Sequence, residues 1–363
     1  AISRLVTLTS EFVFALCQRG AEVALKREAQ RKLPGYAPAY QRPGLVTFRA
    51  PEPITPEVEL PLAFARASGM SLGAARDASA ALERVRGLRA SQGLGRVCLQ
   101  VVERELFRAD EEPPGFTPCA LAKAQEGALR GAAPELFSLG LTPEPGELVL
   151  SAIVAPDDPW VLGLHRHQRG RCPYPGGRYP VHVPDHAPSR AYAKLEESVR
   201  AFELPLWPRD VALELGAAPG GAALALLQRG VDVIGVDPGA MDPFVLGFTG
   251  PDGARLRHVH KPMGALARNE LPQHVDWLLL DVHLAPQVAL RTARKVASWF
   301  RDSLSGAVLT LKLNDWAFAD QLDSFLAQAQ EMGLVAPRAR QFASHRQELC
   351  IVGLTNRGRA RLR

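Results

Sequence analysis

Paired cysteines are missing from this 363-residue chain. Its five cysteines (Cys17, Cys98, Cys119, Cys172 and Cys350) are scattered, odd in number and never spaced as C-x-x-C. That excludes a zinc ribbon and a disulfide framework and points to a reducing compartment. Long apolar runs are also missing, and none approaches the roughly 18 residues a membrane helix needs. The opening AISRLVTLTSEFVF lacks the basic-then-apolar layout of a secretory signal. The expected location is therefore the cytoplasm, with no membrane partner. No period of about 20–50 residues recurs, which excludes solenoids and propellers. Four histidines crowd one stretch (His165, His167, His182, His186) without ligand spacing or a cysteine pair, so no metal is expected.

What is present is a foldable, mildly basic chain. Hydrophobic residues make up 47% and charged residues 22%, enough to bury a sizeable core. Length alone suggests two to three domains at about 150 residues each. The net charge of +5 permits a polyanionic partner. Apolar segments at 12–16 and 45–48, with a helical segment at 21–33, predict a small α+β domain over residues 1–75. Helical periodicity at 71–89 and 119–130, with strands at 96–102 and 147–154, predicts a second over 76–170. A basic, turn-rich linker follows at 171–188. Arg166, Arg169, Arg171, Arg178 and Arg190 lie in or beside it, interleaved with His165, Tyr174 and Tyr179. Arginines pair with phosphates and aromatics stack on bases, so RNA is the expected partner. The C-terminal Arg357, Arg359, Arg361 and Arg363 read as a frayed basic tail.

Over 189–363, apolar runs at 211–215, 231–236, 275–280, 307–313 and 349–354 alternate with helical patterns. This predicts an α/β, doubly wound, Rossmann-like sheet. Its first strand leads into LGAAPGG, where Gly216, Gly220 and Gly221 allow close approach to the backbone. The second strand ends in Asp237, placed to accept hydrogen bonds from two ribose hydroxyls. The loop lacks G-x-G-x-x-G and a Walker lysine, so neither NAD nor ATP is favoured. S-adenosyl-L-methionine, which has no phosphate to cradle, fits better.

Methylating a ribose hydroxyl requires an oxygen held in line with the donor and relieved of its proton. A lysine can serve if its pKa is lowered enough to leave some neutral amine. A mixed cluster of lysines and acids is the expected signature. Lys194 lies on a helix before the first strand, Asp281 and Lys312 end strands, and Glu348 opens the last one. Ligands gather at the carboxyl ends of such strands.

At these residues the chain resembles the FtsJ-like ribose 2′-O-methyltransferases with their K-D-K-E tetrad. More closely it resembles the RlmM-type enzymes that modify a cytidine of 23S rRNA. The pieces that carry the resemblance are APSRAYAKLEE, LGAAPGG, GVDPGAM, LLLDV, LTLKL and HRQEL, with QRGAEVALKREA, PGLVTF and LPLAFARASG nearer the start. The resemblance implies a ferredoxin-like domain (1–75), a THUMP-like RNA-binding domain (76–170) and a methyltransferase domain (189–363), acting on large-subunit rRNA as a monomer. It implies Lys194, Asp281, Lys312 and Glu348 as catalytic residues, with Lys312 the candidate proton acceptor. Gly216, Ala217, Pro219, Gly220, Gly221 and Asp237 would bind the cofactor. Two departures stand out. Ala222 follows the glycine pair where relatives carry an aromatic, and His258, His260 and Lys261 follow the third strand where many carry an acid for adenine. Asp252 and Asp276 are weak substitutes. The alternatives are the same fold acting on tRNA or a non-RNA hydroxyl, and a non-catalytic RNA-binding or assembly factor.

Overall fold

The computed structural model describes residues 8–104, 119–156 and 158–362. The chain divides into two compact units, residues 1–180 and 181–363.

The first unit contains β1 (Ser10–Leu16), α1 (Glu22–Lys32), β2 (Ala37–Arg42), β3 (Leu45–Ile54), β4 (Ala67–Ala75), α2 (Ala78–Gln92), β5 (Cys98–Glu103), α3 (Ala120–Ala132), β6 (Leu148–Val154) and β7 (Trp160–Arg166). The strands form one sheet in the order β2-β3-β1-β4-β7-β6-β5. Neighbours run antiparallel except β5 and β6. The β4–β7 pairing, with Met70 opposite Leu164, joins strands expected in 1–75 to strands expected in 76–170. The two small α+β regions are thus halves of a single sheet.

The helix expected from residue 71 starts later. Residues 71–75 complete β4, and α2 begins after Asp77, whose carboxylate accepts from the Ala80 amide at 2.9 Å. Small residues explain the misreading. Gly69 and Gly163 leave room for the Phe14 ring, which a Cβ at Gly163 would meet at 2.0 Å. This run therefore lacks the alternation that marks a strand. Met70, Leu82, Val85, Leu99, Leu129 and Leu162 form the core between sheet and helices, each contributing about 1.5–3 kcal/mol by burial.

The expected basic linker begins inside this unit. Arg171, 7% exposed, donates to the carbonyls of Val58 (3.2 Å) and Ser68, and Gln100 donates to the Pro173 carbonyl at 2.8 Å. Arg166 pairs with Glu57 at 2.8 Å. Both arginines bond to residues of this unit, and His165 and Tyr179 are buried. Residues 105–118 of the expected second region, and Arg363, lie outside the described residues.

The second unit contains α4 (Ala191–Phe202), β8 (Val211–Leu215), α5 (Gly221–Leu227), β9 (Asp232–Val236), α6 (Pro243–Gly247), β10 (Leu256–Val259), β11 (Trp277–Asp281), α7 (Pro286–Ser298), β12 (Gly306–Lys312), α8 (Leu322–Glu331), β13 (Val335–Arg340), β14 (Glu348–Leu354) and α9 (Asn356–Ala360). The order is β10-β9-β8-β11-β12-β14-β13. The first five strands are parallel, and β14 runs antiparallel between β12 and β13. This is the doubly wound, Rossmann-like α/β sheet expected. The near-continuous apolar runs of β8, β11 and β12 follow from burial on both faces. Helix α7 shows one apolar stripe, Ala289, Leu290, Ala293, Val296 and Ala297, turned inward.

The C-terminal arginines do not simply fray. Arg361 donates to Asp210 (2.6 Å) and Asp276 (2.9 Å) and covers the Trp207 ring at 4.5 Å. Trp277, buried in the core, donates its indole N–H to the same Asp210 at 2.9 Å. This network ties the chain's last described turn to the amino-terminal edge of the sheet. Among the described residues no helix is long and apolar enough to cross a membrane.

Candidate active site

The sheet's register brings distant residues to one place. Asp281 lies beside Thr310, and Lys312 lies opposite Glu348. Residues two apart on a strand share a face, so Asp281, Lys312 and Glu348 leave the sheet on the same side. Helix α4 covers that side and points Lys194 at them. The Lys194 ammonium lies 3.0 Å from Asp281 Oδ2 and 2.8 Å from Glu348 Oε2. The Lys312 ammonium lies 2.8 Å from Asp281 Oδ1 and also donates to Glu348 Oε1. All four expected residues meet in a closed ring of alternating charge. Only Asp281 is appreciably open, with 17% of its side chain exposed.

The electrostatics depart from expectation at Lys312. Burial disfavours its ammonium, but the charges of Asp281 and Glu348 outweigh burial and raise its pKa above the ordinary lysine value. The expected lowered pKa is therefore corrected: with two carboxylates in contact, Lys312 holds its proton in this state. Burial likewise works against the Glu348 carboxylate. Lys194 and Lys312 overcome it and bring Glu348 down to about 2. His345, from the HRQEL run, is buried next to the ring, and burial lowers its pKa to about 3. Its Nδ1 accepts from the Phe342 amide at 3.2 Å, which leaves Nε2 to carry the hydrogen of the neutral ring.

A cavity of about 600 Å³ opens above the ring, at the carboxyl ends of β8, β9, β11 and β12. Lys194, Asp281, Lys312 and Glu348 form part of its wall, and Gly216, Pro219 and Asp237 form another. Gly216 is a glycine for two reasons. Its φ is +87°, and a Cβ there would lie 2.2 Å from the Asp281 carbonyl oxygen. Asp237 accepts from the amides of Ala218 (3.1 Å) and Gly239 (2.6 Å), which hold its carboxylate at the cavity wall.

Three expected cofactor residues are elsewhere. Ala217, Gly220 and Gly221 do not line the cavity. Ala217 is buried against Gly235, and Gly220 makes room for Met241 and Val245. Gly221 opens α5 where a Cβ would lie 2.8 Å from the Ser189 carbonyl oxygen and 2.9 Å from the Tyr192 amide. Its role is to let α5 press against α4. Of the residues expected after the third strand, His258 lies within β10 and is bonded to the Asp237 carbonyl, and Lys261 is bonded to Glu270. Pro262, Met263 and Gly264 reach the cavity instead, as do Ser189, His283 and Leu284. Ser189 lies in the APSRAYAKLEE run, and no sequence signal marked the others. Asp276 is committed to Arg361, and Asp252 to Arg209 at 3.6 Å.

Known proteins resemble the chain over this region. The chain is 35% identical over 201 residues to the ribosomal RNA large subunit methyltransferase M of Methylococcus capsulatus, covering 53% of this chain and 49% of the relative. It is 36% identical over 155 residues to the protein of the same name from Teredinibacter turnerae, covering 41% of each chain. The corresponding protein of Azotobacter vinelandii is 32% identical over 182 residues, covering 48% of this chain and 44% of the relative. The chain thus spans about half the length of the curated relatives it matches. The site lies almost wholly within residues 187–314, which match the FtsJ-like methyltransferase family.

Proposed function

We propose that this protein is an S-adenosylmethionine-dependent RNA ribose 2′-O-methyltransferase that acts on a cytidine of 23S rRNA. The observation that carries this reading is the meeting of Lys194, Asp281, Lys312 and Glu348 at the wall of one ligand-sized cavity. Donor pockets for small molecules span roughly 300–1,000 Å³, and this one has an acceptor carboxylate and open backbone at one end. These residues fit S-adenosylmethionine, which when bound supplies an electrophilic methyl group.

Asp237 would accept hydrogen bonds from the donor's ribose hydroxyls, and Pro262, Met263 and Gly264 would hold its base, in place of the acid found in many relatives. Lys194 and Glu348 hold Asp281 and Lys312 in register. Lys312, protonated at rest, donates a hydrogen bond to the substrate 2′-oxygen and stabilises the negative charge gathering there. Asp281, the more open of the two carboxylates, receives the departing proton. RNA is required because only RNA carries the 2′-hydroxyl. Residues 1–75 and 76–170, as ferredoxin-like and THUMP-like portions, capture the RNA, with 171–188 connecting them to the methyltransferase domain. The enzyme works as a cytoplasmic monomer.

The test is transfer of a labelled methyl group to unmodified large-subunit rRNA by the wild type and by Lys312→Ala. The variant should lose at least about 100-fold in rate. Equal transfer by both proteins overturns the catalytic assignment, and label on a base overturns ribose methylation.

A further inference from the structure

Beneath the four-residue ring the sheet carries another carboxyl group, Glu214, on β8. The residue is 1% exposed and its Oε2 has no hydrogen-bond partner among the described residues. It faces a small cavity of about 20 Å³, also lined by Lys194, Asp281 and Thr310. A polar cavity of at least about 10–15 Å³ holds one water when two to four polar groups line it. Here Glu214, Lys194, Asp281 and Thr310 are the polar residues of the lining, among apolar ones such as Ala191, Leu195 and Val308. The register places Glu214 beside Leu279, two residues before Asp281 and on the same face.

We infer that Glu214 is a positioning residue for the ring, hydrogen-bonded to Asp281 through one water held in this small cavity and fixing that carboxylate between the two lysines. For its catalytic consequence this rests on the methyltransferase reading above. Burial, and then the negative charges of Asp281 and Asp237, push the Glu214 pKa well above the ordinary glutamate value. Lys194 is the cation facing the same cavity. Both effects favour the undissociated acid, which has a proton to donate. The ring keeps two ammoniums against two carboxylates, with no third buried negative charge to offset.

Two variants separate the possibilities. Glu214→Gln keeps the size and the donor, whereas Glu214→Leu keeps the bulk and removes both polar atoms. In the unfolded chain Glu214 ionises near 4.5, while burial in the folded chain raises its pKa well above that value. Wild-type stability therefore falls relative to Glu214→Gln as the pH rises above that value. The melting-temperature gap should widen from about pH 5 to about pH 8. Methyl transfer by Glu214→Gln should stay close to wild type with the same pH–rate profile. Glu214→Leu should lose about tenfold or more in kcat, at unchanged KM for RNA and with a displaced profile. A gap that does not change with pH, or equal impairment of both variants, overturns the inference. A wild type that transfers no methyl group sinks the methyltransferase reading instead, and the melting comparison then decides the protonation of Glu214 alone.

Discussion

Lys312 and Glu348 are cross-strand partners: they sit opposite each other in the antiparallel β12–β14 register, and their side chains bond at the wall of the cavity. One charge comes from the last parallel strand and the other from the strand that reverses direction beside it. The pair is fixed by backbone pairing on both sides, so its geometry does not depend on loop conformation. Lys194 then closes the ring from α4.

Donor recognition is predicted to depend on Asp237. Asp237→Ala removes the acceptor at the end of β9 and should weaken binding of S-adenosylhomocysteine by about 10- to 100-fold, the worth of one or two hydrogen bonds to a charged group. Titration calorimetry measures this directly. Unchanged affinity would place the ribose elsewhere in the cavity.

His345 predicts a signature in acid. Its folded pKa of about 3 lies below the ordinary 6.5, so as the pH falls the unfolded chain takes up a proton that the folded chain refuses. Stability is unaffected above about 6.5 and is lost progressively between about 6.5 and about 3. Replacing the ring by His345→Gln should flatten that part of the melting-temperature curve. The slope is the readout, because lost packing shifts the curve evenly. An unchanged slope would assign the acid sensitivity to another group.

Gly221→Ala is predicted to damage the site without touching the cavity. The new methyl group meets backbone atoms of Ser189 and Tyr192, which cannot rotate away, so α4 must move and carry Lys194 with it. Overpacking of this kind costs about 1–3 kcal/mol. Methyl transfer should fall far more than the melting temperature suggests, while Ala217→Gly, at a buried neighbour outside the cavity, should leave the rate nearly intact. Full activity in Gly221→Ala would show that the α4–α5 contact does not position Lys194.

Much of the second unit was legible because burial on both faces produces unbroken apolar strands whose first polar residue lies at the ligand edge. Asp281 and Lys312 stood out for that reason, and the structure brings them together with Lys194 and Glu348. Two edge strands, β2 and β13, were not legible. β2, APAYQR, is largely exposed and contains a proline, and β13, VAPRAR, contains another, so neither shows alternation. The glycine run marks the loop that borders the cavity, but not that Gly216 faces the cavity and Gly221 faces α4. A glycine needed for a ligand and one needed for helix packing look alike until the helix is in place. The sign of the Lys312 pKa was equally hidden, because it depends on both carboxylates reaching the same ammonium.

Strand β14 enters its sheet between two strands made before it, and it brings the fourth member of the ring. During synthesis, everything up to residue 347 lacks Glu348, and the ring of alternating charge closes only when that late strand threads between β12 and β13.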